Sequence, residues 1–154
     1  MKIDMEYSIL PAFTAVGIEG STKEGDGFIA KLWSAANSRF SEISDGVLLN
    51  ADGQPDGIWG LMSDFSRSFL PWENGFKECL YLAGAQCRPD YIPPEGFSKW
   101  TVPAYEYVYI PAESEKSFSL GLELLKNSRH SLAGAAFERY VGKNCYLYYP
   151  IKRL

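Results

Sequence analysis

One stretch of this chain occurs twice. Pro11-Ala12-Phe13-Thr14-Ala15-Val16-Gly17-Ile18 returns, at a spacing of 92 residues, as Pro103-Ala104-Tyr105-Glu106-Tyr107-Val108-Tyr109-Ile110. Each copy alternates as a strand does, and each is followed by apolar residues recurring at three and four, the mark of an amphipathic helix. A unit of one helix and a few strands covers only one face of its sheet, so two such units complete a core together. The repeat therefore predicts an α+β fold of duplicated βαββ units related by a pseudo-twofold axis. The half-units fall at about 1–88 and 100–154 of a single domain spanning 1–154, with a central ligand cleft where the halves meet. Where the first copy has Thr14 the second has Glu106, which puts a carboxylate on the strand face of Val108 and Ile110.

The elements follow from periodicity and turn residues. A strand is expected over Tyr7–Glu19. A helix N-capped by Asp26 follows, with the stripe Phe28, Leu32, Ala36, Phe40 and Ile43. Residues 45–56, rich in Asn, Asp and Gly, read as loop. Strands are expected over Ile58–Ser63 and Phe76–Cys87, with an irregular segment from Asp64 to Gly75 between them. A Pro-bearing connector runs from Cys87 to Lys99. The second leading strand is expected over Thr101–Ile110, then a helix capped by Ser114 or Ser117 with the stripe Phe118, Gly121, Leu122 and Leu125. Leu132–Val141 and Cys145–Lys152 should form a hairpin about Gly142-Lys143-Asn144.

Charge and composition exclude several classes. The formal net charge is −4 and no basic run exists, so no nucleic-acid partner is expected. No stretch approaches the ~20 apolar residues of a membrane span, and Met1–Glu6 has no apolar signal core. The odd set Cys79, Cys87 and Cys145 lacks metal-ligand spacing, which fits a reduced, cytoplasmic protein with buried thiols and no metal. Gly25-Asp26-Gly27 lacks the lysine of a phosphate loop, so no cofactor is implied. His130, the single histidine, follows Lys126 and Arg129 at a solvated helix end and supports no catalytic triad.

The order of elements, closed by Phe137-Glu138-Arg139-Tyr140 and Leu147-Tyr148-Tyr149-Pro150-Ile151-Lys152, resembles the GyrI-like superfamily, the AraC-type effector-binding or multidrug-regulator ligand domains. Such domains are built of SHS2-like repeats. Leu32-Trp33, Gly57-Ile58-Trp59-Gly60, Pro71-Trp72, Leu80-Tyr81-Leu82-Ala83-Gly84, Pro94-Glu95-Gly96-Phe97-Ser98-Lys99-Trp100 and Pro103-Ala104-Tyr105-Glu106-Tyr107 are similar to a stand-alone branch. That branch includes hydrolases of cyclopropane-bearing natural products. The resemblance implies an aromatic-lined pocket between the halves and a ligand module without a DNA reader. In the family's drug-binding regulators an acid on the last strand faces a cationic ligand. The matching position here, four before Pro150, is Tyr146, which supplies no charge at neutral pH.

The candidate site residues follow. Glu106, set among Val and Ile, is expected to have a raised pKa and to act as a general acid or ligand partner. Trp33, Trp59, Trp72 and Trp100 are candidates for an aromatic box around a planar ligand, with Tyr81, Tyr146 and Tyr148 as further ligand contacts. Glu138, with Arg139 and Tyr140 adjoining, reads as structural, and Glu78 as a weaker inward-facing acid. The expected function is binding of a planar or aromatic small molecule. Hydrolysis of a strained cyclopropane ring is the alternative, and inhibition of a topoisomerase-like protein partner a second.

Overall fold

Pro11 and Pro103 set the path of the chain. The computed structural model describes residues 5–66, 68–69, 79–114 and 116–154. In it each copy of the repeated stretch is broken at its Pro-Ala pair, where single strands were expected. β1 (Glu6–Leu10) and β2 (Phe13–Ser21) flank Pro11-Ala12, and β5 (Ser98–Val102) and β6 (Tyr105–Pro111) flank Pro103-Ala104. Proline carries no N–H and fixes φ, so it ends a ladder rather than extending it. The remaining elements are α1 (Phe28–Ser38), β3 (Ile58–Ser63), β4 (Leu80–Cys87), α2 (Ser117–Asn127), β7 (Phe137–Val141) and β8 (Asn144–Arg153). Residues 76–78 of the expected fourth strand, with Glu78 and Trp72, lie outside the described residues.

The eight strands among the described residues join one antiparallel sheet in the order β1-β6-β8-β7-β3-β4-β2-β5. β2 and β6, β4 and β8, and β3 and β7 take mirrored places about the β3–β7 junction. β1 pairs with β6, whereas β5 pairs with β2. The two-residue links 11–12 and 103–104 thus connect strands at opposite ends of the sheet order. A link of this length spans at most ~11 Å. The two edges must therefore approach each other there, and the sheet curls into a half-barrel.

The curl creates an inner and an outer face. The inner face is filled by Phe13, Trp59, Phe69, Trp100, Tyr105, Tyr107, Phe137 and Tyr148, and it forms the main core. α1 and α2 lie on the outer face. α1 buries Phe28, Leu32 and Ala36 against Tyr81 and Ala83, as its stripe predicts. The helix ends at Ser38, and Phe40–Glu42 continue as a 3-10 turn that carries Ile43 into a neighbouring cluster. The N-cap is Gly27 at φ 80°, not Asp26, and no side chain caps this end. α2 packs Leu125 with Val108, Ile110 and Tyr149. Lys116, not Ser114 or Ser117, is its N-cap residue, while Ser117 Oγ accepts from the amides of Glu113 and Ser114. β7 begins at Phe137 rather than Leu132. In the preceding segment a side chain at Gly134 would strike the Phe69 carbonyl at 2.7 Å.

Candidate functional site

A cleft of about 780 Å³ opens beside α1, between the 50–56 loop and the β7–β8 hairpin. Both halves of the chain build it. α1 contributes Trp33 and Asn37, one turn apart. The 50–56 loop supplies Asn50, Gln54, Pro55 and Asp56, and β3 supplies Ile58. The second half adds Arg139, Tyr140, Val141 and Gly142 from the β7–β8 hairpin. The loop is closed by Asn50, whose Oδ1 accepts from the amides of Asp52 and Gln54. Gly142, at φ 59°, makes the hairpin turn.

The two aromatic walls of the cleft meet edge to face: the Trp33 and Tyr140 rings lie 5.1 Å apart at 74°. Trp33 belongs to a hydrogen-bonded chain. Trp33 Nε1 donates to Tyr81 Oη at 2.8 Å, and Tyr81 Oη donates to Glu138 Oε1 at 2.7 Å. Tyr140 stands beside this pair, close enough for its phenol to lower the Glu138 pKa. Trp33 lies beside the buried stripe of α1, so packing of that stripe sets the indole over the sheet. Glu138 and Tyr140 are two apart on β7 and share its outer face.

Burial raises the Glu138 pKa, and the two phenols offset only part of this. Burial, with the Glu138 charge second, pushes the Tyr81 and Tyr140 phenols well above their ordinary value. The same two causes take the Cys145 thiol up to about 11. The arrangement therefore offers a carboxyl that holds its proton to higher pH than usual, two neutral phenols and an unreactive thiol.

The other side of the cleft is Arg139. Its guanidinium lies 5.1 Å from the Trp59 ring and 5.9 Å from the Tyr148 ring. Nη1 donates to Tyr148 Oη at 3.2 Å and Nη2 to the Asp56 carbonyl at 3.3 Å.

The structure brings the sequence candidates together in two groups. Trp33 and Tyr81 meet at the cleft, joined by Glu138 and Tyr140. Trp59, Trp100, Tyr146 and Tyr148 meet on the inner face instead. Trp59 and Trp100 are only 1% and 3% exposed, and Trp100 Nε1 donates to Glu19 at 2.7 Å. Tyr109 stacks on Tyr148, with ring centroids 4.7 Å apart, and meets Tyr146 edge-on. Glu106 joins neither group. It is half-buried, opposite Ile9 of β1 and Lys152 of β8, on the outer face of Val108 and Ile110. Trp72 lies outside the described residues.

Sequence reasoning missed Asn37, Arg139 and Tyr140, and it set Glu138 aside as structural. The available signals were the four-residue step from Trp33 to Asn37 and the two-residue step from Glu138 to Tyr140.

No family model matches the chain, and neither does any curated protein sequence. Solved structures do match in fold. SAV2435, in a structure with bound tetraphenylphosphonium, is 17% identical with a TM-score of 0.62, over 99% of this chain and 94% of that one. An integron cassette protein from the mobile metagenome of Vibrio cholerae is 16% identical with a TM-score of 0.56, over 96% and 95% of the two chains. A hydrolase from Listeria innocua is 11% identical with a TM-score of 0.56, over 98% and 93%. The likeness to these structures is one of fold.

Proposed function

We propose that this chain is a binding module for planar, aromatic small molecules, and that the ligand lies in the cleft between Trp33 and the β7–β8 hairpin. One observation carries this reading: a cleft of about 780 Å³ with two aromatic walls, Trp33 and Tyr140, of which the Trp33 indole is fixed through the Tyr81 hydroxyl to the half-buried carboxyl of Glu138. The volume lies within the ~300–1,000 Å³ of small-molecule sites. The tetraphenylphosphonium bound by SAV2435, a cation with four phenyl rings about a tetrahedral phosphorus, supports the aromatic part of the reading from a shared fold. On this view Trp59, Trp100, Tyr146 and Tyr148 are the scaffold behind the site, and Glu106 stands outside it. The mirrored strand order about the β3–β7 junction supports descent of the two halves from one duplicated unit.

Titration of the intrinsic tryptophan fluorescence with planar aromatic compounds tests the proposal. Saturable quenching that is lost in Trp33→Phe is expected. No quenching by neutral, anionic or cationic aromatics would overturn it.

The raised pKa of Glu138 favours a second reading, hydrolysis of a strained cyclopropane conjugated to a carbonyl. Glu138 would give its proton to the carbonyl oxygen as the cyclopropane bond opens toward it. Water would add to the released carbon, and its surplus proton would return to the Glu138 carboxylate. Turnover of such a compound, abolished in Glu138→Gln while binding persists, is the test. Unchanged turnover in that variant would exclude Glu138 as the acid.

A further inference from the structure

Arg139 is the one basic side chain lining the cleft among the described residues, and its setting is unusual for a guanidinium of mere surface charge. Two ring faces and two hydrogen bonds hold it in place, to Trp59, Tyr148 and the Asp56 carbonyl. No carboxylate lies within ion-pair distance of it among the described residues. Asp56 offers it a backbone oxygen. Glu138 adjoins it in sequence but projects from the opposite face of β7, and the pKa of Glu138 is set by burial and two phenols, not by Arg139.

A guanidinium carries five N–H donors. Each terminal nitrogen uses one of its two in the bonds above, which leaves one on each, while Nε is buried and has no partner among the described residues. A fixed, uncompensated fork of this kind suits the two oxygens of a carboxylate. The neutral groups Asn37 and Gln54 also line the cleft. Glu138, behind the Trp33–Tyr140 wall, is held toward its neutral form and opposes an anion less than an ordinary glutamate would.

We infer that Arg139 makes this cleft select planar aromatic carboxylates: the ring lies against Trp33 and Tyr140, and the carboxylate meets the free N–H groups of Arg139. The inference rests on the cleft being the binding site.

The test compares three probes of one shape on the full chain, by calorimetry at fixed salt: 2-naphthoate, 2-naphthamide and 2-naphthylmethylammonium. A charge-assisted pair is worth about tenfold in affinity or more. Naphthoate is expected to bind at least about tenfold more tightly than either of the others, and Arg139→Gln to erase that preference while naphthamide still binds. Ammonium binding as tight as naphthoate binding, or a preference that survives Arg139→Gln, overturns the inference and leaves the cleft reading standing. Binding of none of the three overturns both. The preference is read first in the unsubstituted chain, so a poorly folded variant cannot rescue it.

Discussion

Tyr81 reaches across an entire strand to Glu138. The two sit on β4 and β7, with β3 between them, and their 2.7 Å hydrogen bond passes over Gly60. A Cβ at Gly60 would lie 2.1 Å from Tyr81 Oη and 2.9 Å from Glu138 Oε1. The absence of a side chain at one position thus permits a contact between two strands that are not neighbours.

Gly60→Ala is therefore expected to break this bond or displace Tyr81. The added methyl meets a packed ring and a half-buried carboxyl, so a loss of about 1–3 kcal/mol is expected from overpacking and a stranded polar group. Urea denaturation measures it. A midpoint equal to that of the parent would mean the outer face is less tightly packed than the geometry indicates.

The stability contribution of Glu138 should depend on pH with a definite sign. Its pKa is higher folded than unfolded, so its favourable contribution is full below the unfolded value and is lost as pH rises through the folded value. Glu138→Gln removes that loss. The melting temperature of the variant minus that of the parent should therefore grow more positive from pH 4.5 to pH 8. A flat difference across this range would show that the carboxyl is not held toward its protonated form.

Ligand binding should depend on the cleft walls and not on the inner face of the barrel or on Glu106. Trp33→Ala and Tyr140→Ala each remove one ring of an edge-to-face pair, worth about 0.5–1.5 kcal/mol beyond area burial. Each should weaken a bound aromatic probe by several-fold to about tenfold, whereas Glu106→Gln should leave the affinity unchanged. An affinity loss confined to Glu106→Gln would move the site to β6, between β1 and β8.

Cys145 should be slow to react although it is partly exposed. With its pKa at about 11, the thiolate is about one part in a thousand at pH 8. Labelling by a disulfide reagent at pH 8 should run far below the rate of a free thiol, and Glu138→Gln should accelerate it by removing a nearby negative charge. Equal rates in parent and variant would separate Cys145 from the Glu138 cluster.

Much of the fold was legible because helices and strands leave periodic marks. The α1 stripe Phe28, Leu32 and Ala36 and the strand Ile58–Ser63 are where periodicity predicts them. The Pro-Ala breaks were not, since alternation continues across Pro11 and Pro103 and hides the change of partner strand. The surroundings of Glu138 were not legible for a local reason. Its sequence neighbour Arg139 looked like a counter-ion, but adjacent residues of a strand point to opposite faces, and the true partners are Tyr140 two residues on and Tyr81 on another strand. Glu106 was assigned to the face of Val108 and Ile110, where it is found. The sequence could not tell that this face carries α2 while the aromatic Tyr105, Tyr107 and Tyr109 fill the barrel interior.

The exchange of outer strands has a consequence for how the molecule holds together. β1 belongs to the first half in sequence but hydrogen-bonds only in the second, and β5 returns the exchange. Each half is thus clasped by an arm of the other, and neither is a severable building block. Cutting the chain between them would strip one outer strand from each portion and leave two raw sheet margins, each complementary to a strand that the other portion still carries.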